Sequence, residues 1–180
     1  MAELANRRSP LQGWSLTGAG LQLRELPHLA QLTLRGEAGL LPGLPTAPNT
    51  TATIGELRAL WLGPDEWLLI GPPGREDAIL AGLTETLAGR PVQVVDVTAS
   101  RTTIEITGVR ATELLSKGCG LDLHLRAFPP GRCAQTLLAR AGVILDLVEP
   151  APVWRVLVRA SLARYLADWL AAAAAEYRQA

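Results

Sequence analysis

Two mainly apolar runs, Arg58–Leu62 and Trp67–Ile70, flank the tetrapeptide Gly63-Pro64-Asp65-Glu66, and a Gly-Pro pair at the centre of a segment does not permit a continuous helix. The segment therefore reads as a hairpin turning at 63–66, which commits the chain to a sheet. The same strand-length punctuation recurs. Ala30, Leu32 and Leu34 alternate with Gln31, Thr33 and Arg35 until Gly36. Val92, Val94, Val95 and Val97 form a β-branched run, and in Arg101–Thr107 the residues Ile104 and Ile106 alternate with Thr103 and Glu105 before Gly108. Further strands are predicted at Cys133–Arg140, Val143–Val148 and Val153–Arg159. Helical spacing is confined to three places. Arg75–Ala88 carries Ile79, Leu80, Leu83 and Leu87 and is closed by Gly89 and Pro91. Val109–Lys117 groups Ala111, Leu114 and Leu115, with Gly118 where a left-handed cap is expected. Ser161 is an expected N-cap for a last helix whose stripe of Leu162, Tyr165, Leu166, Trp169 and Leu170 predicts a core face.

Trp67–Ile70 leading into one helix echoes Trp154–Val158 leading into another, so the strand and helix order predicts an α+β chain of two fused ferredoxin-like halves of the split βαβ type. The halves are expected at about 16–98 and 99–180, after an aperiodic N-terminal arm over 1–15. Pro42, Gly43, Pro45 and Pro48 predict a surface loop running through Thr53. A chain of 180 residues buries roughly 70% of its unfolded surface and needs no disulfide or metal to close its core.

Composition removes several function classes. Seventeen basic residues balance seventeen acidic ones, which leaves no broad positive field for nucleic acid. The longest apolar stretch, Trp169–Ala175, is seven residues, far short of the ~20 that span a bilayer. Met1–Arg8 lacks the order of a secretory signal, so a cytoplasmic protein is expected, with Cys119 and Cys133 reduced. Gly18-Ala19-Gly20 starts like a dinucleotide-binding turn, but Leu23 replaces the third glycine. The only lysine, Lys117, is not in a phosphate loop, and neither a serine-hydrolase elbow nor a zinc-protease motif occurs. Cys119, Asp122, His124 and Cys133 are potential zinc donors, but their spacing matches no standard zinc motif, and two small buried thiols beside a loop histidine bonded to backbone are the expected reading. Trp61 and Trp67 could stack on a cofactor, although cross-strand core packing is the commoner use of such a pair. Asp65 and Glu66, adjacent in a turn, read as solvated carboxylates.

Four blocks carry a family resemblance. They are Trp61-Leu62-Gly63-Pro64-Asp65-Glu66-Trp67-Leu68; Val95-Asp96-Val97-Thr98 with Arg101; Leu114-Leu115-Ser116-Lys117-Gly118-Cys119-Gly120-Leu121-Asp122-Leu123; and Phe128-Pro129-Pro130-Gly131 with Cys133-Ala134-Gln135-Thr136. Together with the entry to the last helix they resemble the gamma subunit of the heterotetrameric sarcosine oxidases. The resemblance implies a fold similar to the folate-binding domain of the glycine-cleavage aminomethyltransferase, with 16–180 as one gamma-subunit domain. It also implies a noncatalytic subunit without a cofactor of its own, supporting oxidative demethylation of sarcosine to glycine. The partners would be alpha, beta and delta subunits, and FAD, FMN, NAD, zinc and tetrahydrofolate would belong to them. A stand-alone folate-binding or one-carbon transfer protein is the alternative. In either case Trp61, Asp65 and Trp67 at the hairpin, and Lys117, Leu121, Asp122, His124 and Phe128 in the following loop region, are the candidate partner contacts.

Overall fold

The computed structural model describes residues 7–178. Chain contacts divide them into two units: His28–Ser100, and the residues up to Pro27 together with those from Arg101 onward. The division differs from two consecutive halves because residues 16–27 join the second unit.

In the second unit β1 (Ser15–Gly18) and β2 (Leu21–Leu26) precede the first unit, while β8 (Arg101–Thr107), α2 (Ala111–Ser116), β9 (Cys133–Leu138), β10 (Ala141–Glu149), β11 (Val153–Arg159) and α3 (Ala163–Ala173) follow it. The first unit holds β3 (Ala30–Arg35), β4 (Thr51–Ile54), β5 (Leu57–Gly63), β6 (Glu66–Gly71), α1 (Glu76–Thr86) and β7 (Gln93–Asp96).

The first unit is a five-stranded antiparallel sheet in the order β4-β5-β6-β3-β7. Leaving aside the edge strand β4, this is the second-third-first-fourth order of a split βαβ unit, with the Pro-rich segment standing where the first helix would be. The alternation in β3 decides the faces: Ala30, Leu32 and Leu34 join Trp67 and Leu69 beneath Ile79, Leu83 and Leu87. Gly89, at φ +75°, ends the helical segment as expected. The surface loop expected through Thr53 is shorter than predicted, since Thr51–Ile54 pairs with Leu57–Leu60.

The second unit is a six-stranded antiparallel sheet, β1-β2-β8-β11-β10-β9. Its segment β8-α2-β10-β11-α3 supplies three strands of a ferredoxin-like unit, and β2, from the other end of the chain, supplies the fourth. Gly18-Ala19-Gly20 is therefore a hairpin turn, with Gly20 at φ +69°. Leu21 and Leu23 enter the same core as Ile104, Ile106, Trp154, Val156 and Leu145, under α2 and α3. The last helix presents Ala163, Leu166, Ala167 and Leu170 to that core, whereas Tyr165 is exposed and Trp169 packs at its margin. The buried stripe is thus rotated from the expected one. Ser161 lies in a 3-10 turn (Ala160–Leu162) and makes no side-chain cap to the helix. No helix among the described residues is long and apolar enough to cross a membrane.

Candidate interaction surfaces

The hairpin forms as the sequence predicts, but its two tryptophans have different fates. Trp61 and Trp67 are direct cross-strand partners. Trp67 is 0% exposed, and its indole N–H donates to the Pro45 carbonyl at 2.8 Å. It is a core residue and offers no surface to a partner, because its strand position faces α1. Trp61 is half-buried beside that core. At the turn, the Asp65 carbonyl accepts the Gly36 N–H at 3.0 Å, while the Glu66 carboxylate accepts Arg35 Nη2 at 2.6 Å. Asp65 remains exposed at the tip.

The loop after α2 is anchored from within by Leu123 and Phe128, 2% and 5% exposed. The Phe128 ring lies 5.1 Å from that of Trp154, so it too is internal and leaves the candidate contact set. Asp122 Oδ1 accepts the His124 N–H at 3.0 Å, and His124 Nδ1 accepts the Arg126 N–H at 3.2 Å. These two polar side chains shape the loop itself. Leu121 and Leu125 project to solvent above it. Cys119 and Cys133 are buried and form no disulfide, and no three potential metal ligands converge among the described residues.

Lys117 is occupied by its own chain. Its ammonium donates to the Ala173 carbonyl at 2.7 Å, pairs with Glu176 and stands 4.5 Å from the centre of the Tyr177 ring. Bonding to Glu176 raises the Lys117 pKa, and the same bond lowers that of Glu176. Next to them Glu113 is held low by Arg110, with which it pairs at 2.7 Å. Burial raises the Tyr177 hydroxyl, which forms no well-aligned hydrogen bond although Lys117 and Glu113 both influence it. The Tyr177 carbonyl accepts the Ala19 N–H at 2.7 Å, so this cluster ties the chain's last turn to the β1–β2 hairpin.

The sheet face opposite the helices carries a charged row that reading single strands does not reveal. Glu105, 8% exposed, accepts Arg24 Nη2 at 2.6 Å and Nε at 2.9 Å, with Arg155 Nε 4.0 Å from its other oxygen. Arg24, Glu105 and Arg155 align only through the registers of β2-β8 and β8-β11. Their alternation within each strand was the available signal; the pairing was not. On the core side Glu25 accepts Thr102 Oγ1 at 2.6 Å and the hydroxyl of Ser9. Both carboxylates are already bonded within the chain, so the residues present do not fit a folate ligand in these two places.

This strand order defines the class: an α+β fold of the aminomethyltransferase kind. The glycine cleavage system aminomethyltransferase T from Bartonella henselae superposes with a TM-score of 0.65 over 86% of this chain and 46% of that one, at 16% identity, which is a likeness of fold alone. The narrower assignment comes from sequence. Residues 36–176 match the sarcosine oxidase, gamma subunit family. The sarcosine oxidase subunit gamma of an Arthrobacter species is 35% identical over 95% of this chain and 91% of its own length, and that of Corynebacterium sp. (strain U-96) is 36% identical over 88% and 81%. A chain of the solved heterotetrameric sarcosine oxidase from Corynebacterium sp. U-96, in complex with pyrrole 2-carboxylate, superposes with a TM-score of 0.85 at 33% identity, over 97% of both chains. The chain belongs to the sarcosine oxidase gamma subunit family.

Proposed function

We propose that this chain is the gamma subunit of a heterotetrameric sarcosine oxidase and contributes surface, not reactive groups, to the oxidative demethylation of sarcosine to glycine. The observation that carries the reading is the correspondence, over 97% of both chains, with a component of such an assembly. The partners are the alpha, beta and delta subunits, which hold FAD, FMN, NAD and zinc and use tetrahydrofolate as the one-carbon acceptor, in the cytoplasm. The internal engagement of the charged groups supports this. Lys117, Glu105 and Glu66 each answer a charge of their own chain, so their role is to hold shape. The exposed hairpin tip at Asp65 beside Trp61, and the loop crest at Leu121, Asp122 and His124, are the contact surfaces we assign to partner subunits.

Co-expression with the large flavoprotein subunits tests the proposal. The chain is expected to co-purify with them in stoichiometric amount and to show neither sarcosine turnover nor tetrahydrofolate affinity alone. Micromolar folate binding by the isolated chain, or oxidation of sarcosine without added protein, would replace the subunit reading with the stand-alone one.

A further inference from the structure

The registers of β1-β2-β8 set two rows of three polar side chains on the sheet face opposite the helices: Ser15, Arg24 and Glu105 in one, Thr17, Gln22 and Thr107 in the other. Leu16, Leu23 and Ile106, which alternate with them along the strands, belong to the core. The six polar residues line a concavity of about 450 Å³, a volume within the range of small-molecule sites. With strands about 4.8 Å apart and same-face residues about 6.7 Å apart along each strand, the grid measures roughly 10 Å by 7 Å, the footprint of one or two sugar rings. Arg24 and Glu105 are committed to each other, so their charges cancel. The side chains of Ser15, Thr17, Gln22 and Thr107 make no hydrogen bond among the described residues. Ser15, Thr17 and Gln22 are exposed and Thr107 is half-buried. No aromatic side chain lines the concavity among the described residues, so it offers a planar ligand nothing to stack on.

We propose that this grid is a binding site for a neutral, polyhydroxylated small molecule, a sugar or polyol. Three hydroxyls and one carboxamide, each able both to donate and to accept, match a ligand whose own hydroxyls do the same. A charged ligand would have to break the Arg24–Glu105 pair and lose its charge-assisted bonds, and an apolar one would cover the four uncommitted side chains without satisfying them. The site stands apart from the subunit reading and lies wholly within the second unit.

The test titrates the full chain with maltose and, separately, with sodium gluconate against sodium chloride at constant ionic strength. NMR follows the backbone amides of Ser15, Thr17 and Thr107 and the side-chain amide of Gln22. Melting temperature is not the readout, because sugars excluded from a protein surface stabilise any fold. The site predicts saturable maltose shifts at these groups, half complete at or below roughly 10 mM, whereas a drift still linear at roughly ten times that concentration overturns it. Gln22→Leu and Thr107→Val each remove hydrogen-bonding groups from the grid, and each is expected to raise the half-saturation concentration roughly 3–10-fold. Ser15→Ala takes the place of either variant should it fail to fold. Gln93→Leu, exposed on β7 of the other unit, serves as the control and keeps the full response. A maltose response equal in the grid variants and the control overturns the site. Gluconate that saturates the same amides where maltose does not would show that the Arg24–Glu105 pair opens to a carboxylate, and would overturn the neutral ligand.

Discussion

Gly118 shows how an expectation about one residue can be right about glycine and wrong about its cause. Its place at the end of α2 suggests a left-handed cap, yet it is not among the glycines with positive φ. The constraint is contact: an added Cβ would lie 2.6 Å from two ring carbons of Trp169 and 3.1 Å from the Ala139 nitrogen. Gly118→Ala is therefore expected to destabilise by about 1–3 kcal/mol through overpacking. Trp169→Leu in the same chain should restore part of the loss. Equal melting of Gly118→Ala and the unmodified chain would mean that the indole moves aside freely. Gly18 obeys the same rule at the other end of the unit, where its Cβ would meet the Tyr177 carbonyl oxygen at 2.7 Å. Trp61 and Trp67 teach the complementary lesson. Both were legible as a cross-strand pair on one face, but only the strand order tells which ring is internal: Trp67 is on β6, between β5 and β3, whereas Trp61 is on β5 beside the edge strand β4.

Elements with an alternating stretch and clear punctuation were readable, and those that lack these were not. Val153–Arg159 and Arg101–Thr107 have the predicted bounds, each marked by a short alternation, Trp154-Arg155-Val156 in one and Thr103–Ile106 in the other. β4 has four residues, none fully buried, so no burial period marks it. β2 does alternate, but the glycines before it resemble the start of a nucleotide-binding turn, and its partner strand is far away in sequence. The closing 3-10 turn, Ala175–Arg178, was invisible because one buried ring, Tyr177, and the Lys117–Glu176 pair hold it, and neither makes an apolar stripe. That turn has a pH signature. Glu176 has its pKa lowered on folding, so its contribution is present above the ordinary carboxylate range and is lost as pH falls through the lowered value. Lys117 has its pKa raised, so its contribution is present at neutral pH and is lost as pH rises through the raised value. The Ala19 amide, bonded to the Tyr177 carbonyl, is the reporter. Its exchange protection factor should be flat around neutrality and fall in acid, and Lys117→Met should remove the acid-side fall. An acid-side fall unchanged in that variant would assign the effect to other carboxylates.

For the whole molecule, the decisive fact is that the second unit borrows its fourth strand from the beginning of the chain. Leu23 and Leu21, both 1% exposed, complete the core next to Ile106. Removing residues 1–26 should therefore strip hydrogen-exchange protection from β8 and α3 while amides of His28–Ser100 keep theirs. Loss of protection throughout both units would show that they fold as one. Returning residues 19–26 after Arg178 on a short linker should restore protection to β8, because the Tyr177 carbonyl already bonds the Ala19 amide. The subunit surface follows the same plan: the lone lysine and the aromatic Tyr177 spend their chemistry on tying the two chain ends together.

The borrowed strand also sets a timetable during protein synthesis. Glu25 leaves the ribosome 77 residues before Thr102, its partner. At about 5–20 residues per second, β2 waits roughly 4–15 s for the strand it must join. Over that interval its leucines are without their permanent cover in the nascent chain, and a cell making this protein must shield them or tolerate the delay.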